Sequence, residues 1–504
     1  MKKITIMVCL MTWGIAACAQ MADTRKAPVA ATPFAKSITA ANLKKALYIV
    51  AADDMEGRET GTPGQYKAAR YIIDEFKRIG LQSGAGNGEW EQPFVLNQDT
   101  LVNATITAGG KTFEFGKDFY TSLRDNKSQE LQQAGVVFAG YGNVSDSFDS
   151  YKGIDASDKI VVIDGARLGA VEQKDRLRAA GNHGARAVFI VSNNLPGMGR
   201  AGSRLRRTGL YFADFATTME FIPNAYFISP DVASAIFGKP YASLTEGLTA
   251  NNPAPSAGGQ ASLVFRKGLV EIRSSNILGL IPGTDKKDEY VFITAHYDHI
   301  GVINGEVHNG ADDDGSGTVA VIAMAEAFMK AKKAGKGPRR TIVFMPVSGE
   351  EKGLLGSRYY TEHPIYPLAN TVADLNIDMI GRIDPEHAKD SNYVYIIGDN
   401  KLSSDLRPIS EAANKLVGLQ LDYKYNDPAD PNRFYYRSDH YMFAQHRIPI
   451  IFYFNGVHED DHRPGDKPEK IHYNLLAKRA KLVFYTAWEV ANRKDRLKVD
   501  RNEK

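Results

Sequence analysis

Thiols are nearly absent: among 504 residues only Cys9 and Cys18 are cysteines. Cys9 lies in an apolar N-terminal run that reads as removable, so no intramolecular disulfide is expected in the mature chain. Any metal must then be held by imidazoles and carboxylates rather than thiolates. An excess of one charge is missing too. The formal net charge is +3, small for this length, and argues neither for nucleic acid nor for an acidic partner. Beyond the N-terminus there is no internal repeat, low-complexity block or transmembrane run. What is left is 43% hydrophobic with mixed charge, the composition of a soluble globular protein with room for two or three domains.

The N-terminus is the exception. Met1-Lys2-Lys3 precedes an apolar run from Ile4 to Ala17, the layout of a secretory signal too short to span a bilayer stably. Ile15-Ala16-Ala17-Cys18 resembles the lipobox of bacterial lipoproteins. That resemblance implies cleavage before Cys18, a lipid anchor on its sulfur and an exported protein in the cell envelope, at the outer membrane or facing the periplasm. Ordinary cleavage near Ala19 is the alternative. Residues 19–36, rich in Ala, Thr, Pro and Lys, read as a flexible tether.

Helices are expected over Ile38 to Ala51 and Gln65 to Ile79, the second from apolar residues at Ala68, Ile72, Ile73, Phe76 and Ile79 with Gly80 as its stop. Short alternating runs from Leu101 to Ser122 suggest strands with a hairpin at Gly109-Gly110. Compact apolar strands follow at Val136 to Ala139, Ile160 to Ile163 and Ala187 to Val191, with a helix over Val171 to Gly181, an arginine-rich loop from Gly197 to Arg207 and a boundary at Pro253 to Gly259. That order, with Gly184-Ala-Arg-Ala-Val188, resembles a protease-associated domain. From Asn276 onward strands and helices alternate. The expected fold is α/β: a mixed, mainly parallel sheet sandwiched by helices, with a small inserted α/β domain.

Within that alternation, Val291 to Ala295 runs into His296-Tyr-Asp298-His299, and Asn309-Gly-Ala-Asp312-Asp313-Asp314-Gly follows a short loop later. A buried strand thus delivers an imidazole and a carboxylate to its C-terminal tip, the edge where open α/β sheets bind ligands. Asp312 to Asp314 alone would suit a solvated turn capping a helix. Three more strand ends carry the same chemistry, however: Ser348-Gly349-Glu350-Glu351, Asp378-Met-Ile-Gly381, and Val457-His458-Glu-Asp-Asp-His462-Arg-Pro-Gly-Asp466. Adjacent carboxylates repel unless a cation sits among them. Two imidazoles and several carboxylates suit zinc, with manganese or cobalt as substitutes. There are more donors than one tetrahedral ion needs, so two ions sharing a bridging Asp are expected.

Together these motifs resemble metallopeptidase family 28, the two-zinc aminopeptidases with a zinc exopeptidase fold. The likeness covers roughly 40–125 and 260–495, and includes Asp54-Met-Glu-Gly-Arg58 and Thr60-Gly-Thr-Pro-Gly64. It implies two Zn2+ ions, with His296 and Asp378 on one, Glu351 on the other and Asp313 bridging, followed by a cis Asp313-Asp314 peptide. His462, before Arg-Pro-Gly-Asp466, matches the last ligand better than His458. The catalytic positions carried over are Glu350, a general base, and Asp298, a carboxylate orienting an imidazole. His299, His308, His440 and His458 match no ligand position and are expected at the pocket wall or surface.

The divisions expected on this basis are a signal peptide with lipobox at 1–18, a tether at 19–36, the first part of the catalytic domain at 37–128, a protease-associated domain at 129–260 and the remaining catalytic domain at 261–495. The implied activity is that of a zinc aminopeptidase acting on peptides with a free N-terminus, through a metal-activated water and the Glu350 base. A carboxypeptidase or dipeptidase of the same fold, or a catalytically silent binding protein, are the alternatives. The residues do not mark the preferred terminal residue or the oligomeric state.

Overall fold

The computed structural model describes residues 27–165, 170–195, 206–213, 222–249 and 257–502. The expected signal peptide and lipobox, the first part of the tether, most of the arginine-rich loop and residues 253–256 of the expected boundary lie outside the described residues. The chain forms two compact units, one from residues up to Phe94 together with Arg273 onward, the other from Val95 to Ile272.

The first unit is built on an eight-stranded sheet. In chain order its strands are β1 (Gln82–Ser83), β2 (Gly279–Ile281), β3 (Lys286–His296), β4 (Arg340–Val347), β5 (Thr371–Ile377), β6 (Tyr393–Ile397), β7 (Gln420–Asp422) and β8 (Ile450–Phe454). Across the sheet they run β1-β2-β4-β3-β5-β8-β6-β7. The central four, β4-β3-β5-β8, are parallel, with Val291 level with Ile342 and Ala373, and Leu375 level with Ile451. Antiparallel pairings lie outside them, at β1 with β2, β2 with β4, and β8 with β6. The sheet is therefore mixed with a parallel core.

Every residue of β4, β5 and β8 is buried, as expected of strands covered on both faces. The covering helices are α1 (Ala40–Val50), α2 (Pro63–Ile79), α3 (Gly317–Lys333), α4 (Leu355–Glu362), α5 (Leu406–Asn414), α6 (His440–Gln445) and α7 (Tyr473–Asn492). One face packs Val291, Ile293, Leu375 and Ile451 with Leu47, Ile72, Phe76, Phe328 and Phe484 from α1, α2, α3 and α7. The other packs Phe292, Val343 and Phe452 with Tyr360 and Phe443 from α4 and α6. Among the described residues no helix is long and apolar enough to cross a membrane.

The tether expected over 19–36 is corrected where it can be seen. Residues Ala27–Ala30 and Thr32–Ala35 are short helices. Ala31, Ala35 and Ile38 are fully or almost fully buried, and the Phe34 ring stacks on Trp488 with centroids 5.8 Å apart. Ala31, Phe34, Ala35 and Ile38 form a helical stripe, which the Ala- and Pro-rich composition conceals.

The second unit has its own eight-stranded sheet, in which Gln129–Phe138, Ile160–Asp164, Ala187–Val191 and Asn224–Ile228 lie parallel. Alternate residues of its central strand split between two cores, Ile160 and Val162 on one side, Val161 and Ile163 on the other. The expected limits of 129–260 are too narrow. Two long strands, Glu91–Ala108 and Gly258–Ile277, belong to this sheet, so the unit starts at Val95 and ends at Ile272. Charged and glycine positions along Gly258–Ile277 hide it from a search for apolar runs. The Gly109-Gly110 hairpin is present, both residues at positive φ, joining Glu91–Ala108 to Lys111–Glu114.

Candidate metal centre

The ends of the parallel strands bring the predicted donors together. His296 is the last residue of β3, Asp378 directly follows β5, Glu350 and Glu351 lie in the turn after β4, and His462 lies in the loop after β8. Asp313 precedes α3 in a buried turn whose Asp313-Asp314 peptide is cis.

The His296 ring is aimed by its neighbour. Its Nδ1 is 3.0 Å from the backbone carbonyl of Asp298, so the proton sits there and Nε2 keeps its lone pair. Nε2 lies 3.1 Å from Asp313 Oδ1 and 3.6 Å from Asp378 Oδ1. The expected role of the Asp298 carboxylate in orienting an imidazole is corrected, since that carboxylate is 3.8 Å from Nδ1. It instead accepts the Thr60 hydroxyl at 2.7 Å and the backbone N–H of Glu350 at 3.3 Å. It therefore holds the turn that carries both glutamates.

Asp313 faces two ways. While Oδ1 meets His296, Oδ2 lies 3.1 Å from His462 Nε2 and 3.5 Å from His299 Nδ1. Glu351 closes that second group, 3.0 Å from His462 Nε2 and 2.8 Å from His299 Nδ1. The other two acids of the triplet point elsewhere. Asp314 accepts the N–H groups of His296, Gly317 and Met379, one of them at the start of α3, as a capping acid does. Asp312 accepts the N–H of Gly381 and sits 3.2 Å from His458 Nε2. His458 thus serves Asp312, whereas His462 reaches Asp313 and Glu351.

Three clusters among the described residues have donor atoms within 4.8 Å of one another: His296, Asp313 and Asp378; His299, Asp313 and Glu351; Asp313, Asp461 and His462. His296 Nε2, both ring nitrogens of His299, and Glu351 Oε1 are buried without a hydrogen-bond partner, although carboxylate oxygens stand close by. Buried polar atoms that converge without bonding one another fit a divalent cation. Asp313 and Glu351 raise His462 to about 11, which shows how strongly this spot favours positive charge. Burial pushes the Glu350 carboxyl well above the usual range, with Asp378, Glu351 and Asp439 adding to the shift and His296 opposing it.

The loop bearing His462 is fastened on both sides of it. Asp460 accepts Arg382 at 2.9 Å and Lys470 at 2.8 Å, and Asp466 accepts the backbone N–H groups of Asp312 and Asp313. Arg58, fully buried, donates to the carbonyls of Tyr297, Val50, Asn309 and Gly310 at 2.7–3.0 Å, tying the loop after β3 to the loop before Asp312. Burial lowers Arg58, and the nearby Asp313, Asp466, Asp298 and Asp314 counter it.

Sequence reasoning singled out no role for Arg58, Thr60 or Asp461 and expected His299 at the pocket wall or surface. Arg58 and Thr60 stood inside quoted motifs, and His299 follows His296 at the same strand tip. That proximity was the available signal.

Known proteins resemble parts of this chain. Residues 276–487 match the family described as peptidase family M28. A probable leucine aminopeptidase of Arthroderma benhamiae is 31% identical over 223 residues, covering 43% of this chain and 57% of that protein. A probable zinc metalloprotease of Pyrenophora tritici-repentis is 28% identical over 259 residues, covering 43% of this chain and 51% of that protein. The chain thus spans a little over half the length of these relatives. The solved aminopeptidase from Aneurinibacillus sp. strain AM-1 is 20% identical, covers 94% of this chain and 99% of its own, and has a TM-score of 0.53, which shows a shared fold. The likeness to peptidase family M28 is thus carried by residues 276–487, which lie within the first unit.

Proposed function

We propose that this chain is a two-zinc aminopeptidase that removes N-terminal residues from peptides carrying a free α-amino group. The observation that carries the reading is the split orientation of Asp313, one oxygen 3.1 Å from His296 and the other 3.1 Å from His462, with Glu350 claimed by neither group. His296, Asp313 and Asp378 would hold one ion, and Asp313, Glu351 and His462 the other. Bound zinc supplies Lewis acidity, polarising a carbonyl and making water a stronger acid.

Glu350 does the proton work. Its carboxylate takes a proton from the attacking water onto one oxygen and returns it to the departing amine nitrogen. A carboxylate spent on a metal could not move protons so freely, which separates its duty from that of Glu351. Asp298, holding the Glu350 N–H, fixes where that carboxylate stands. The surrounding carboxylates suit an α-ammonium group at a chain end. The names of the matched relatives support a metal-dependent peptidase, and one of them is called a leucine aminopeptidase. We read the unit from Val95 to Ile272 as the protease-associated domain that its parallel strands resemble. Ile15-Ala16-Ala17-Cys18 supports a lipid anchor at the cell envelope, which loss of palmitate labelling in Cys18→Ser tests.

The deciding experiment uses the full chain, with bound metal counted and turnover measured on aminoacyl anilides beside their N-acetylated counterparts. Turnover of the free-amino series alone, lost in Glu350→Gln with metal retained, is expected. Turnover restricted to blocked substrates makes the chain a carboxypeptidase or dipeptidase. Two bound ions with no turnover at all make it a binding protein.

A further inference from the structure

We infer that His299 Nδ1 is a further protein ligand of the ion held by Glu351 and His462, so that the two sites are unequal. The inference rests on the two-ion reading of the centre and adds to it a residue that the family resemblance does not supply. Ligand atoms about 2.0–2.2 Å from one ion stand roughly 2.9–3.4 Å from each other in tetrahedral to octahedral arrangements. His299 Nδ1 is 2.8 Å from Glu351 Oε1 and 3.5 Å from Asp313 Oδ2, close to the spacing at which His462 Nε2 faces the same two residues, 3.0 and 3.1 Å. Both imidazoles therefore face the Asp313 and Glu351 carboxylates, His299 through Glu351 Oε1 and His462 through Oε2.

The contact is short enough for a hydrogen bond from His299 to Glu351, but its angles are poor for one. His299 Nδ1 and Glu351 Oε1 both remain without a hydrogen-bond partner despite lying 2.8 Å apart. Two buried donor atoms that close, with no well-aligned hydrogen bond between them, are spaced as neighbouring ligands of one cation are. The fold also keeps the ring in place. A Cβ at Gly310 would lie 2.5 Å from His299 Cγ and Cδ2, so glycine at that position leaves the space the imidazole fills. The His299 backbone N–H is bonded to the Arg58 carbonyl at 3.2 Å, which fixes the ring from its other end.

With His299 counted, the Glu351 side has four protein residues, His299, Asp313, Glu351 and His462, against His296, Asp313 and Asp378 on the other. Metal added below stoichiometry should fill the Glu351 side first. The first test leaves the wild-type full chain unaltered. Its two-zinc form is examined by X-ray absorption, which should show three imidazoles shared between two ions; two imidazoles would overturn the inference. The second test titrates Co2+ into wild type and His299→Gln, following visible absorption and affinity. The tighter of two binding steps should weaken at least ~10-fold, and its absorption bands should shift as a nitrogen donor is lost. Unchanged affinity and bands in the variant overturn the inference while leaving the two-ion centre standing. Failure of the wild type to bind two ions removes the centre itself, a different result. If His299→Gln does not fold, the imidazole count in the wild type still decides.

Discussion

Thr60 donates a 2.7 Å hydrogen bond to Asp298 across 238 positions of sequence, so a loop close to the N-terminus grips the carboxylate that holds Glu350. The other Asp298 oxygen takes the Glu350 backbone N–H at 3.3 Å. Removing the hydroxyl leaves a buried carboxylate oxygen without its donor, at a cost of about 1.5–3 kcal/mol. We expect Thr60→Val to lower kcat roughly 10-fold or more while the bound metal count stays at two, and Thr60→Ser to restore most of it. Steady-state kinetics beside metal analysis checks this. Loss of metal in Thr60→Val would show that the hydroxyl supports the ligands instead.

Glu350→Gln keeps the shape of the side chain and removes the base. The expected fall in kcat is about 10²–10⁴-fold, with zinc content unchanged because no donor has been taken from either group. Glu351→Gln should behave differently, losing metal from the side shared with His462. The contrast between neighbouring glutamates is read by metal analysis and kinetics on the same preparations.

Zinc should stabilise the fold, because His296, Asp313, Glu351 and Asp378 are buried or nearly so and their carboxylates repel one another in the absence of a cation. At a free concentration 100 times the dissociation constant, one site contributes about 2.7 kcal/mol. Melting curves with a chelator and with graded zinc should therefore separate by several degrees. In Asp313→Asn, which disturbs both groups, the separation should shrink.

Ile38 is fully buried against the helices of the first unit. Ile38→Ala should cost about 2–5 kcal/mol, measurable as a drop in the urea midpoint. A change near zero would restore the flexible tether that the composition of this segment suggests.

His440, fully buried in α6, has Nε2 2.8 Å from the Tyr435 carbonyl and its ring stacked on Phe452. Burial lowers its pKa to about 3. The unfolded chain takes up this proton near pH 6.5, while the native protein does not until about 3. The associated stability is therefore fully present above about 6.5 and falls as pH drops from there toward 3, by up to ~1.4 kcal/mol per pH unit. In His440→Phe the acid-side slope should be shallower by one proton, as read from urea midpoints through that window.

Much of this was legible because strand and ligand signals coincide. Apolar runs ending in His296, Glu350, Asp378 or the His458 to His462 loop mark both a buried parallel strand and the donor at its tip. Their meeting follows from the sheet. The long strand Gly258–Ile277 was not legible as one element, because the alternation of Ala261, Leu263 and Phe265 is broken by Arg266, Lys267 and Gly268 and the exposed stretch that follows. His299 was hidden for another reason. Its ring is placed by Gly310 and Arg58, and no local pattern reports a glycine whose importance is the space it leaves. Asp298 shows the same limit: the carboxylate expected to steer an imidazole serves Thr60 and Glu350, and the backbone carbonyl steers instead.

All the donors but Asp313 arise from four separate strand ends, and the last of them, His462, stands far along the chain from His296. A polypeptide emerging N-terminus first presents His296, Asp313, Glu351 and Asp378 before it has made His462, and β8, whose pairing with β5 carries the His462 loop into place, comes almost as late. On the reading proposed above, the donor set is therefore complete only late in synthesis. A chain ending before β8 would lack His462, and with it one of the groups that face Asp313 and Glu351.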